Sequence, residues 1–239
     1  QALAEDLLCP FHYFGISDLW IDGKEINLEE DTISFSNLSE GERVDKIIEK
    51  IRYFGHSGSR VKGLVFCSNK KEAKELSDAF NLRKFRTISL TGDDSQAKRE
   101  DAIARLTGTG AYQGFVDDQL DYIFTVDIFN EGVDIPEVNQ VIMLRQTESP
   151  IVFIQQLGRG LRKFEDKEYV VILDFIGNYS NSYMIPLALS GDRSYNKDTL
   201  RKYVQSGNRI IPGTSTVHFD SIAKKRIFAA IDTANLSSA

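Results

Sequence analysis

The chain has 239 residues, 41% hydrophobic and 27% charged, enough apolar material for a sizeable core and too much for a disordered chain. Its two cysteines, Cys9 and Cys67, share no C-x-x-C spacing, and no apolar run approaches the roughly 18 residues of a membrane span, which argues against a disulfide framework, a cysteine zinc site and a membrane partner and suits a reducing, cytoplasmic compartment. The net charge of −6 is uneven: residues 1–45 hold eleven acidic and two basic side chains, so the rest of the chain is net basic.

In chain order, residues 1–38 carry one apolar and aromatic run, Cys9 to Ile16, then an acidic stretch without periodicity. They read as a lead-in strand and linker, and a chain that starts at Gln1 reads as a piece of a longer protein. Ser39 with Glu42 forms a capping box, and Val44, Ile47, Ile48 and Ile51 repeat at helical spacing, which predicts a helix to about Phe54. Lys62–Cys67 predicts a strand, Asn69 with Glu72 caps a helix carrying Ala73, Leu76 and Phe80, and Phe85–Leu90 predicts the next strand. Thr91 to Ser95 turns into a helix bearing Ala97, Ile103 and Leu106, and 108–114 is a loop. Three more strands follow at Asp121–Val126, Gln140–Leu144 and Tyr169–Leu173. Short strands alternating with helices predict an α/β fold: a three-layer domain over 39–178 with a mostly parallel sheet covered on both faces. Past Asn178 the alternation stops, and 179–239 reads as a small, mainly helical extension with helices near 196–206 and 219–232.

Between the last two strands lies S-P-I-V-F-I-Q-Q-L-G-R-G-L-R, Ser149 to Arg162. Ser149 can cap a helix that Pro150 begins without losing a hydrogen bond. At about 100° per residue, Gln155, Arg159 and Arg162 share one face, while Phe153, Ile154, Leu157, Leu161 and Phe164 share the opposite one. Gly158 and Gly160 each cost about 1 kcal/mol in a helix interior, which suggests close approach to the backbone. Two guanidinium forks on one rigid face suit a phosphoryl group; a solvated basic face is the alternative. Asn130 to Pro136, N-E-G-V-D-I-P, follows a strand: Asp134 could accept ribose hydroxyls and Gly132 admit a phosphate, or the segment is an ordinary turn.

Taken together, N-E-G-V-D-I-P and the arginine segment resemble motifs V and VI of superfamily 2 helicases of the DEAD/DEAH-box type. L-V-F-C-S-N (64–69) resembles their motif IV, and S-L-T-G (89–92) with Arg99 resembles the region between IV and V. The resemblance covers about 60–178 and implies the second RecA-like motor domain, with the first belonging to a part of the protein outside this sequence. Residues 179–239, near whose start stands I-P-L-A-L-S-G-D-R-S, resemble an extension found in a bacterial group of these helicases.

The resemblance implies that Arg162 is the arginine finger, that Arg159 makes a second phosphate contact or an interdomain contact, that Gln155 holds nucleotide or water, that Glu131, Gly132 and Asp134 meet the nucleotide, and that Ser68, Thr91 and Gly92 lie along nucleic acid. The threonine usual in motif V aligns with Val126, which puts the nucleic-acid role of Thr125, one place early, in question. ATP and Mg2+ are the implied cofactors, with Mg2+ held mainly by the first domain, because no G-x-x-x-x-G-K-[ST] cradle occurs here. Asp174 at the end of V-V-I-L-D-F and the Asp117-Asp118 pair imitate an acidic metal-binding strand but read as structural. Nucleic acid is the implied partner, DNA ahead of RNA. Residues 193–226 hold eight Lys or Arg against two Asp, and Lys225 there is a candidate phosphate contact or part of a solvated face. The competing classes are a non-hydrolysing RecA-like binding module and the motor part of a restriction or repair complex.

Overall fold

Alternation along one short strand sets both faces of the sheet. In β4 (Gly63–Phe66) Leu64 and Phe66 point to one core while Val65, with the following Cys67, points to the other, and all four are fully buried. A strand with no polar face must lie inside a sheet covered on both sides. The computed structural model describes residues 9–17, 20–21, 24–25, 40–126, 135–145, 162–176, 183, 186–187, 196–206 and 215–233.

The strands are β1 (Phe11–Ser17), β2 (Trp20–Ile21), β3 (Lys24–Glu25), β4, β5 (Thr87–Leu90), β6 (Tyr122–Thr125), β7 (Gln140–Met143), β8 (Val170–Ile176) and β9 (Thr216–Phe219). Seven form one sheet in the order β5-β6-β4-β7-β8-β1-β9, and every pairing in it is parallel. β2 and β3 form a separate antiparallel ribbon. The helices are α1 (Glu40–Phe54), α2 (Lys70–Leu82), α3 (Gln96–Thr107), α4 (Lys197–Ser206) and α5 (Ser221–Thr233). α1 and α2 cover one face through Val44, Ile47, Ile48, Ile51, Ala73, Leu76 and Phe80. α3, α4 and α5 cover the other through Ala102, Leu106, Leu200, Val204, Ala223, Ile227 and Ile231.

The cap predicted at Asn69 forms, accepting from the Glu72 amide, while those predicted at Ser39 and Ser149 lie outside the described residues. Ser95 caps α3 by accepting from the Lys98 amide, and α3 ends on Gly108 with φ 73°, a left-handed conformation suited to glycine. Gly63 is needed for another reason: a Cβ there would stand 2.1 Å from the Tyr122 ring.

The parallel sheet is the one that the alternation of strands and helices predicts. Two findings depart from the sequence reading. The lead-in strand β1 lies inside the sheet, between β8 and β9. β9 itself has no counterpart in the sequence reading: Val217 and Phe219 turn inward while His218 stays exposed, a four-residue alternation too short to stand out.

Candidate functional site

The carboxyl ends of parallel strands converge on one edge, where ligands of such sheets bind. In register, Thr125 of β6 lies between Phe66 of β4 and Leu90 of β5, and Phe66 also faces Met143 of β7. The residues that follow, Ser68 and Thr91, therefore emerge on strands two positions apart, about 10 Å at strand spacing. The ends are fastened: Cys67 N–H donates to Thr125 O and Leu144 N–H to Phe66 O, both at 2.9 Å, and Ser68 Oγ reaches Leu144 O at 3.5 Å.

Both loops are held by carboxylates. Ser68 N–H donates to Glu72 Oε2 at 2.6 Å, and Glu72 Oε1 is paired with Arg43 of α1. Thr91 N–H donates to Asp94 Oδ2 at 2.6 Å, and Lys98 Nζ donates to Asp94 Oδ1 at 2.5 Å. The Lys98 contact, followed by the Thr91 bonds, holds the Asp94 carboxyl below its ordinary pKa against a partial desolvation. Lys70 pairs with Asp93, joining one loop to the other, and Arg99 donates to Gly92 O at 2.7 Å. A Cβ at Gly92 would meet nothing within 4 Å, so the fold leaves open space there and packing does not call for glycine.

Thr125 does not join this surface. It is 0% exposed and its hydroxyl has no hydrogen-bond partner among the described residues; its side chain faces the core, so it offers no surface to a nucleic-acid backbone. Half-buried Val126 follows it.

Arg162 is exposed, but the segment from Arg162 onward is not helical, which corrects the helix drawn through Phe164. Phe164 and Lys167 form an isolated antiparallel bridge, and Phe164 is 39% exposed. Lys62 Nζ stands 5.5 Å from the centre of that ring, and Asp166 Oδ2 accepts from Ser59 N–H at 3.2 Å and Ser59 Oγ at 2.9 Å. This turn sits at the amino end of β4. Arg162 precedes this turn, two residues and at most about 7 Å along the chain from Phe164. Gln155, Arg159, Glu131, Gly132 and Asp134 lie outside the described residues.

Lys225 is exposed on α5. Within the basic stretch Arg201 pairs with Asp198 at 2.8 Å and with Asp232, and Lys197 Nζ donates to Asp232 O at 2.9 Å. Asp174 is buried and accepts from Tyr13 Oη at 2.6 Å. That bond, with burial leading, pushes the Tyr13 phenol well above its ordinary pKa. Asp117 and Asp118 lie exposed in a 3₁₀ turn before β6.

Sequence reasoning missed Arg43, Glu72 and Asp94 as parts of this surface. The Asn69-x-x-Glu72 spacing signals a cap, but not that the glutamate would take the Ser68 amide.

Comparison with known proteins fits this geometry. The profile of the helicase conserved C-terminal domain matches residues 42–164. IRC3 of Saccharomyces cerevisiae, an ATP-dependent helicase by name, is 28% identical over 160 residues, 66% of this chain and 22% of its own length. The Dictyostelium discoideum RNA helicase ddx41 is 32% identical over 103 residues, 42% of this chain and 14% of its own. The chain thus spans less than a quarter of these relatives. Among solved structures, the DNA-bound Type ISP restriction-modification enzyme LlaBIII matches 97% of this chain and 17% of its own at a TM-score of 0.58 and 18% identity. The yeast DEAD-box splicing factor Prp28 matches 92% and 37% at 0.52 and 13%. Both share the fold.

Proposed function

The chain belongs to the helicase conserved C-terminal domain family, and from that premise we propose that it is the second motor domain of an ATP-dependent nucleic-acid helicase or translocase. The observation that carries the reading is the polar edge of the sheet. Ser68 and Thr91 emerge from strands two positions apart beside Gly92, which leaves clear space in front of its backbone. A hydroxyl, a second hydroxyl and an unobstructed backbone at fixed spacing suit a regular phosphate backbone better than they suit a small ligand. We take nucleic acid as the partner, DNA to be tried before RNA, and Lys225 as an added phosphate contact.

ATP supplies the phosphoryl-transfer chemistry when bound. The described residue that fits it is Arg162, an exposed guanidinium that stays charged at any working pH and can grip two oxygens. Gln155, Arg159, Glu131, Gly132 and Asp134 are its proposed companions. No group of three or more His, Cys, Asp or Glu among the described residues is placed to hold a metal, and Mg2+ is assigned to the first motor domain.

Arg162 tests the reading. In the full-length protein Arg162→Ala leaves ATP binding within a few-fold and lowers kcat by about 10³, roughly 4 kcal/mol of transition-state stabilisation. Arg162→Lys rescues poorly, because an ammonium lacks the fork. Steady-state hydrolysis by either variant near the wild-type rate removes Arg162 from the role.

A further inference from the structure

Ser68 and Thr91 are held by one construction built twice from unrelated segments. In each, a carboxylate oxygen takes the residue's own backbone N–H at 2.6 Å. The other oxygen of each carboxylate meets a cation from a helix, Arg43 of α1 for Glu72 and Lys98 of α3 for Asp94. Both carboxylate side chains are largely shielded, 12% and 18% exposed, and the Lys70–Asp93 pair ties the loops together. An acid placed beside a polyanion track repels it unless neutralised, so its presence at both candidate contacts calls for a compensating role.

Resting on the nucleic-acid reading above, we propose that Glu72 and Asp94 are positioning residues of the track. Each fixes the backbone of one hydroxyl residue, and Arg43 and Lys98 neutralise the acids that do so. The spacing between Ser68 and Thr91 is thereby set before a strand arrives, so binding does not have to order these loops. A carboxylate here also caps its helix or turn, and capping alone affects stability without a separate effect on affinity. The two roles, and simple electrostatics, differ in sign. Removing an acid beside the track tightens binding on charge grounds, leaves it unchanged if the acid only caps, and weakens it if the acid positions the loop.

The test is binding of labelled single-stranded DNA and RNA oligonucleotides by the full-length protein at several salt concentrations, at a temperature where circular dichroism shows each variant folded. Glu72→Met and Asp94→Leu remove the acceptor and each weaken binding about tenfold, the worth of one charge-assisted hydrogen bond. The salt slope stays unchanged because no phosphate-contacting cation is lost. Glu72→Gln and Asp94→Asn keep an acceptor oxygen and stay within about threefold of wild type. Asp94→Leu, in a turn, supplies the decisive arm should Glu72→Met fail to fold. Equal or tighter binding by the Met and Leu variants, or equal losses in the Gln and Asn variants, overturns the proposal while the function stands. A wild-type protein that binds neither oligonucleotide overturns the function and this proposal with it.

Discussion

Replacing Phe219 by alanine asks whether the C-terminal segment is an appendage or part of one core. Phe219 is the last residue of β9, 2% exposed, pairs with Gly15 of β1, and meets the Tyr13 ring edge to face at 5.6 Å. It belongs to the same apolar cluster as Leu64, Phe66 and Met143 at the centre of the sheet. Removing a buried phenylalanine costs about 3–5 kcal/mol, transfer and cavity together, against a total stability of about 5–15 kcal/mol. In a chain of this size that lowers Tm by roughly 6–20 °C. Guanidinium unfolding followed by circular dichroism measures the loss, and native-state hydrogen exchange locates it. If the cluster is cooperative, the Leu64 and Ile123 amides, several strands away, lose protection by the global amount, roughly a hundred- to a few-thousand-fold. Unchanged exchange at Leu64 and Ile123, with loss confined to β9 and α5, would show that 196–233 folds as a separate unit and refute the reasoning.

The sequence carried the local rules further than the long-range ones. Asn69 could be read as a cap because a cap needs only the next three residues, and it forms as expected. The strands of 39–178 were legible for the same reason: an unbroken apolar run such as Gly63–Phe66 can be satisfied only inside a covered sheet. What could not be read was pairing at a distance. His12 bonds Thr216, 204 residues away, and nothing within either four-residue neighbourhood announces the other. Helical periodicity also ran past its end at Phe164, because angular arithmetic cannot see the chain reverse through Glu165 and Asp166 to close the Phe164–Lys167 bridge. The site shows the same division. Ser68, Thr91 and Gly92 stand out as residue types in a pattern, whereas the partnership of Glu72 with Arg43, 29 positions apart, depends on α1 packing beside α2.

Two further outcomes follow from buried polar groups. Arg86 grips Asp121 through Nε at 3.3 Å and NH2 at 2.7 Å, with the Asp121 side chain 12% exposed. Arg86→Leu takes the bidentate guanidinium from that carboxylate and costs about 3 kcal/mol in chemical denaturation. Arg86→Lys recovers less than half for want of the fork, so a lysine variant as stable as wild type contradicts the bidentate account. His12 gives the last. Its Nδ1 lies 2.8 Å from Thr216 Oγ1, and burial lowers its pKa below the ordinary value. Above about pH 7.5, a unit beyond the ordinary histidine pKa, the ring is neutral in folded and unfolded chains alike and contributes no pH dependence. Below that pH the unfolded chain takes up a proton that the folded one resists, so stability falls with falling pH until the folded pKa is passed. His12→Asn removes this part of the slope. The stability of wild type relative to His12→Asn, measured by urea unfolding from pH 7.5 to 5, should therefore decline as the solution is acidified. A difference that stays flat or grows means that the folded protein does not resist protonation of His12, and that burial between β9 and Tyr169, whose ring stands 4.8 Å from the imidazole, does not set its charge.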